Sequence, residues 1–193
     1  MAQFYPELTP QLESFISRQP VFFVATAPLS ADGHINLSPK GYDSFRVITP
    51  NTVAYLDLTG SGNETSGHVT ENGRITLMFC AFEGPPLILR IFGQGSVILP
   101  DHPEWVTWIS RFPNWPGIRQ IITVRISQVQ TSCGYGVPLM TYQGPRNTLA
   151  RWAEQKGPDG IRQYWIDHNL ATIDQLPTPL AQHLDTLEDD ADA

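Results

Sequence analysis

The chain has 193 residues, 17 of them proline and 15 glycine, with a net charge of −7 and only 16% charged residues, against about a quarter in an average soluble chain. That length suits one domain, or one domain with a small appendage. The apolar residues are too well spread for disorder and form no run near the ~18 residues of a membrane span; Met1–Phe15 lacks the basic region and apolar core of a signal peptide; Cys80 and Cys133 are too few for a disulfide framework; and an acidic chain with two lysines offers no basic face to nucleic acid. The expectation is a soluble cytoplasmic protein.

Thr9-Pro10 reads as an N-cap followed by proline at the first helical position, and Leu12, Phe15 and Ile16 then repeat at helical spacing up to Pro20. Val21–Thr26 is a dense run of strand formers, and Asp32-Gly33 is a hairpin signal. From His34 to Lys40 the chain alternates: His34, Asn36, Ser38 and Lys40 lie on one side, Ile35, Leu37 and Pro39 on the other. Phe45–Ile48 and Thr52–Asp57 are short strands around a Pro50-Asn51 turn. The small, polar Thr59–Gly67 breaks the pattern, with a possible helix start near Asn63 or Glu64.

Arg74–Cys80 reads as a buried strand, and Leu87–Leu99 as a long one with Gly93 and Gly95 inside it, as at a bulge or barrel corner. Around Trp105, Trp108 and Ile109 the period becomes helical, then Gln120–Val129 alternates again. Residues 133–145 are loop-like, Asn147–Lys156 and Gly160–His168 read as two helices, and Glu188–Ala193 is an acidic tail. Four of the acidic residues lie in that tail, so the rest of the chain carries only −3. The fold class is mainly β with helices: six to seven strands over residues 1–130 suggest a small antiparallel β-barrel, with a leading helix and a C-terminal helical extension over 131–187.

Standard catalytic signatures are missing, and the five histidines show no metal-ligand spacing. The polar face of His34, Asn36, Ser38 and Lys40 fits either a solvent-facing strand or a barrel edge facing a polar ligand. The small residues of Thr59–Gly67 fit either a plain loop or a cradle in which backbone N–H groups and the hydroxyls of Ser61, Thr65 and Ser66 meet an anion. Arg46 and Arg90 lie inside strands, where each needs a carboxylate or a ligand anion as partner.

The order of these features resembles the pyridoxamine 5'-phosphate oxidase-like, FMN-binding split-barrel family: a leading helix, VFFVATA, the DG turn, NLSPKG, FRVI, TVAYLD, the small-polar loop, GRITLMFCAF and LILRIFGQGSV. The likeness covers roughly residues 10–130. It implies a homodimer with FMN in the groove between subunits and oxidoreductase chemistry on a small organic substrate. It implies cofactor-binding roles for Asn36, Ser38, Lys40 and Gly41 along the flavin edge, Tyr55 and Asp57 on the strand entering the phosphate loop, and Ser61, Asn63 and Thr65 within it.

Two departures stand out. Where the oxidases carry Arg or Lys after the loop serine, this chain has Gly62-Asn63-Glu64, so Lys40, Arg46 and Arg90 become the candidates to neutralise a phosphate. The segment after Ser132 does not align with the B6-binding end of the true oxidases, so oxidation of vitamin B6 is not expected; Cys133, Tyr135 and Arg146 could line the pocket instead. A flavin- or haem-binding protein without turnover and a deazaflavin-dependent reductase are the alternatives on this fold.

Overall fold

The computed structural model describes residues 2–184; the acidic tail expected at 188–193 lies outside them. The first helix, α1 (Pro10–Ile16), is capped as its sequence suggests: Thr9 Oγ1 accepts from Leu12 N at 3.4 Å, Pro10 occupies the first turn, and Leu12, Phe15 and Ile16 are buried. A short strand not foreseen, β1 (Gln3–Tyr5), precedes it. The expected strands follow as β2 (Phe22–Thr26), β3 (Asn36–Lys40), β4 (Phe45–Thr49) and β5 (Thr52–Leu58). Helix α2 (Glu64–Asn72) begins where the small-polar segment allowed. Strands β6 (Arg74–Cys80) and β7 (Ile88–Ile98), helix α3 (Trp105–Ile109), strand β8 (Ile118–Ser132) and helix α4 (Thr148–His168) complete the order.

All strand pairs are antiparallel, in the order β3-β2-β6-β7-β8-β5-β4, with β1 added on β8. The sheet curls into a split barrel without closing. Four strands separate β3 from β5 along it, yet Lys40 at the end of β3 reaches Asp57 on β5 at 2.6 Å. Phe22 on β2 likewise meets Phe45 and Tyr55 across the interior at 5.1 and 5.5 Å between ring centres. The interior is filled by fully buried residues from alternate strand positions, including Val24, Leu77, Leu89, Ile91 and Ile122.

Gly93 does sit at a bulge. The β7–β8 register shifts there, and a Cβ on Gly93 would fall 2.5 Å from the Arg125 carbonyl oxygen. A second apolar cluster of Ala54, Leu56, Ile98, Phe112 and Ile121 packs under the tryptophans of the α3 region. β5 and the first half of β8 are therefore buried on both faces, while from Arg125 onward β8 exposes one face. The two expected C-terminal helices are the two arms of α4, broken at Gly157, whose φ and ψ of 66° and 173° are not helical, and at Pro158.

Candidate functional site

The polar side of β3 faces inward. Asn36, Ser38 and Lys40 are half-buried, while Ile35 and Leu37 are 77% and 64% exposed. The inversion arises because the inner face of this edge strand meets α2 and β5, not the apolar core. Asn36 Nδ2 donates to Thr26 Oγ1 and Thr65 Oγ1 at 3.1 and 3.0 Å, and Ser38 Oγ donates to Asn36 Oδ1 at 2.8 Å. Thr26 Oγ1 shares a 3.0 Å hydrogen bond with Nδ1 of the buried His68. His34 leaves this cluster: its ring and backbone nitrogens both bond the Asp174 carboxylate, at 2.6 and 2.7 Å.

Beneath the end of β3 lies an ionic hub. Asp57 is only 3% exposed and takes four N–H donors. Lys40 Nζ approaches Oδ1 at 2.6 Å, while Arg119 Nη2, Arg119 Nε and Gln120 Nε2 approach Oδ2 at 2.7, 3.2 and 2.8 Å. Burial alone pushes the Asp57 carboxyl up; Lys40 and Arg119 more than reverse this and hold it far below the usual carboxylate range. Arg119, 2% exposed, also donates through Nη1 to the Gly62 carbonyl and Asn169 Oδ1 at 3.0 and 2.7 Å. Four of its five N–H groups are therefore bonded. The three charges leave one positive in excess, and its exposed member is Lys40, with 24% of its side chain accessible.

Lys40 and Gly41 open onto a cavity of about 720 Å³, with Thr59, Gly60 and Ser61 of the loop before α2 on one side. The opposite wall comes from Arg146 and the first arm of α4, including Trp152, with Tyr164 from the second arm and Tyr42 and Tyr142 adding aromatic surface. The N-cap residue of α2, Asn63, does not cap it. Its side chain is drawn into the hub, donating to the Asn169 carbonyl at 3.1 Å and accepting from Gln120 at 2.8 Å. The first-turn N–H groups of α2 therefore lack a side-chain acceptor from the cap position. Glu64 is turned away, its Oε2 accepting from Ile173 N at 3.0 Å.

The residues singled out from the sequence divide into three groups. Lys40, Gly41, Ser61 and Arg146 line the cavity. Asn36, Ser38, Tyr55, Asp57, Asn63 and Thr65 stand behind it as its hydrogen-bonded and packed support; Tyr55 is wholly buried, and its hydroxyl pKa is pushed well up by burial and by Asp57. Arg46 and Arg90 lie elsewhere. Arg46 pairs with Asp43, donates to the Arg111 carbonyl at 2.8 Å and sits 5.3 Å over the Phe112 ring. Arg90 donates to Ser132 Oγ at 3.2 Å and pairs with β8 at Gln130, ten residues along that strand from Gln120. Neither joins Lys40 at the cavity, nor do Cys133 and Tyr135.

Sequence reading missed Arg119 and Asn169. Arg119 carried the same signal that marked Arg46 and Arg90, a cation within a run of strand formers, but it lies just before the alternating stretch. Asn169 carried no signal beyond ending a helix.

A protein-family model described as pyridoxamine 5'-phosphate oxidase matches residues 8–133, which ends at the last residues of β8. The chain is 46% identical over 194 residues to the pyridoxamine 5'-phosphate oxidase family protein ustO of Aspergillus flavus, across 92% of this chain and 78% of that one. Among solved structures, Group A Streptococcus HupZ aligns with a TM-score of 0.50 at 21% identity, over 63% of this chain and 91% of that one. A Lactobacillus delbrueckii protein described as a candidate pyridoxamine 5'-phosphate oxidase aligns with a TM-score of 0.50 at 19% identity, over 65% and 94%. The structural likenesses speak to fold alone; the family match and the 46% identity to ustO show that the chain belongs to the pyridoxamine 5'-phosphate oxidase family.

Proposed function

We propose that the protein is an FMN-dependent oxidoreductase acting on a small organic molecule, as a cytoplasmic homodimer. The observation that carries the reading is the donor set of the cavity. Lys40, left with excess positive charge beside the Asp57–Arg119 pair, stands with Thr59, Gly60 and Ser61 of the loop before α2, facing a wall of aromatic side chains. Such a site fits a planar ring system carrying a phosphate: the cation and loop N–H groups suit the anion, and the aromatic wall suits the ring. Lys40, Ser61 and Arg146 would hold the phosphate, and Trp152 and Tyr164 would pack on the ring. When bound, the flavin supplies the hydride or electron transfer.

The chain's own part is to bind and orient. Asp57 and Arg119 fix Lys40 without drawing off its whole charge, and the aromatic wall excludes water from the ring face. The residues behind the cavity, Asn36, Ser38, Thr65 and His68, lock the inner face of β3 against α2, so that Lys40 at the strand end has one position. The exposed Ile35 and Leu37 on the outer face of β3 support a second subunit packing there. The two free cysteines, one buried and one exposed, suit a reducing compartment. Among the described residues no helix is long and apolar enough to cross a membrane.

The test is to purify the protein, record its visible spectrum, denature it and identify the released chromophore. FMN release, followed by turnover with a reduced nicotinamide, is expected. Haem release, or protein that stays colourless with added FMN, would overturn the reading; FMN binding without turnover would leave a flavin carrier.

A further inference from the structure

We propose that Asn169, which does not itself line the cavity, is a positioning residue for its anion-binding loop. Through it, the docking of α4 sets the affinity for a phosphate-bearing ligand. The inference rests on the flavin reading above and assigns the loop's shape to one residue of the C-terminal segment.

Asn169 is wholly buried at the C-terminal end of α4 and bonds the loop at both ends. Its Nδ2 donates to the Gly60 carbonyl at 3.1 Å, and its main-chain carbonyl accepts from Asn63 Nδ2 at 3.1 Å. Its Oδ1 accepts from Arg119 Nη1 at 2.7 Å, and that same Nη1 donates to the Gly62 carbonyl. The start of the loop is tied to the helix as well: Trp165 Nε1 donates to Thr59 Oγ1 at 2.8 Å.

Thus the carbonyls of Gly60 and Gly62 are both drawn toward the buried hub. In a trans peptide the N–H of the next residue points the opposite way. Fixing these two carbonyls therefore aims the N–H groups of Ser61 and Asn63 away from the hub, on a loop whose Gly60 and Ser61 line the cavity. Without the Asn169 side chain, the Gly60 carbonyl loses its partner and Arg119 loses one of its acceptors. The loop peptides are then free to rotate, and the donors are no longer aligned for an anion. Because the first arm of α4 is also a cavity wall, ligand binding and helix docking stabilise each other.

The test compares FMN with riboflavin, which has the same ring and no phosphate, by equilibrium titration of the full chain. Asn169→Ala should weaken FMN about tenfold, the worth of one charge-assisted hydrogen bond, and leave riboflavin within about twofold. Ile161→Ala, which removes buried packing from the same helix beside Gly117 and leaves every hydrogen-bonding side chain of the loop in place, should lower the melting temperature and leave the FMN-to-riboflavin ratio unchanged. If Asn169→Ala does not fold, Trp165→Phe removes the Thr59 bond and should show the same phosphate-selective loss. Equal weakening of both ligands, or none, overturns the proposal. If the native chain binds neither flavin, the flavin reading has failed, and inorganic pyrophosphate becomes the probe. Weaker pyrophosphate binding by Asn169→Ala would then uphold the positioning role, and no binding or no weakening would end it.

Discussion

Asp57→Asn probes the hub most sharply. The carboxylate accepts four N–H donors at 2.6–3.2 Å and is 3% exposed. The asparagine offers one oxygen in place of two and turns an amide N–H₂ toward donors of Lys40, Arg119 or Gln120. The Arg119 guanidinium is left buried without a counter-charge, a loss of about 3–5 kcal/mol. With a urea slope of about 2 kcal/mol per molar for a small domain, the unfolding midpoint should fall by roughly 2 M at unchanged slope. Asp43→Asn is the internal contrast: it breaks the Arg46 pair, but Asp43 is 65% exposed, so the expected loss is about 0–1 kcal/mol. The Asp57 carboxyl is held below its unfolded value, so its contribution is complete above about pH 4 and fades as pH falls through the folded-state value. The deficit of Asp57→Asn should therefore shrink in acid. A loss below ~1 kcal/mol at neutral pH would refute the argument that the hub is a buried, paired cluster.

Four further outcomes are expected. In an NMR titration His34 should ionise above the usual 6.5, because it bonds the Asp174 carboxylate, and Asp174→Asn should bring it back; the stabilisation it gives is full below about pH 6.5 and lost as pH rises through the raised value. Buried His68 should ionise below 6.5, its neutral form stabilising the fold above that pH and ceasing to do so as pH falls through the lowered value. Gly67→Ala places a Cβ 2.4 Å from Thr172 Cγ2 and should cost about 1–3 kcal/mol by overpacking; an unchanged melting temperature would mean that the segment after α4 does not rest on α2. Arg146→Ala should weaken FMN binding while Arg46→Ala leaves it intact, since only the former lines the cavity; the reverse result would move the phosphate to the other side of β4.

The strands and the first helix were legible because their signals are local. Thr9-Pro10 caps α1 where it should, the alternation of β3 is real, and Gly93 marks the bulge its sequence position suggested. The direction of β3 was not legible. Alternation says that Asn36, Ser38 and Lys40 share a side, but which side faces inward depends on α2 and β5, which approach it only after the sheet has curled. The same limit explains the arginines. Arg46 and Arg119 look alike in sequence, each a cation among strand formers, but Arg46 has Asp43 three residues away while Arg119 meets Asp57 across 62 residues. Asn169 lies farther still from Gly60 and Asn63, more than a hundred residues away, its role fixed by where α4 ends and by nothing in its neighbours.

The central claim is that Lys40 and the loop before α2 hold the phosphate of a flavin. Its most direct test is equilibrium titration of FMN and riboflavin against the native chain and Lys40→Ala. The account predicts that the native chain prefers FMN to riboflavin and that Lys40→Ala abolishes most of that preference with riboflavin affinity unchanged. A native chain that binds the two alike, or a Lys40→Ala variant that keeps the full preference, would contradict it.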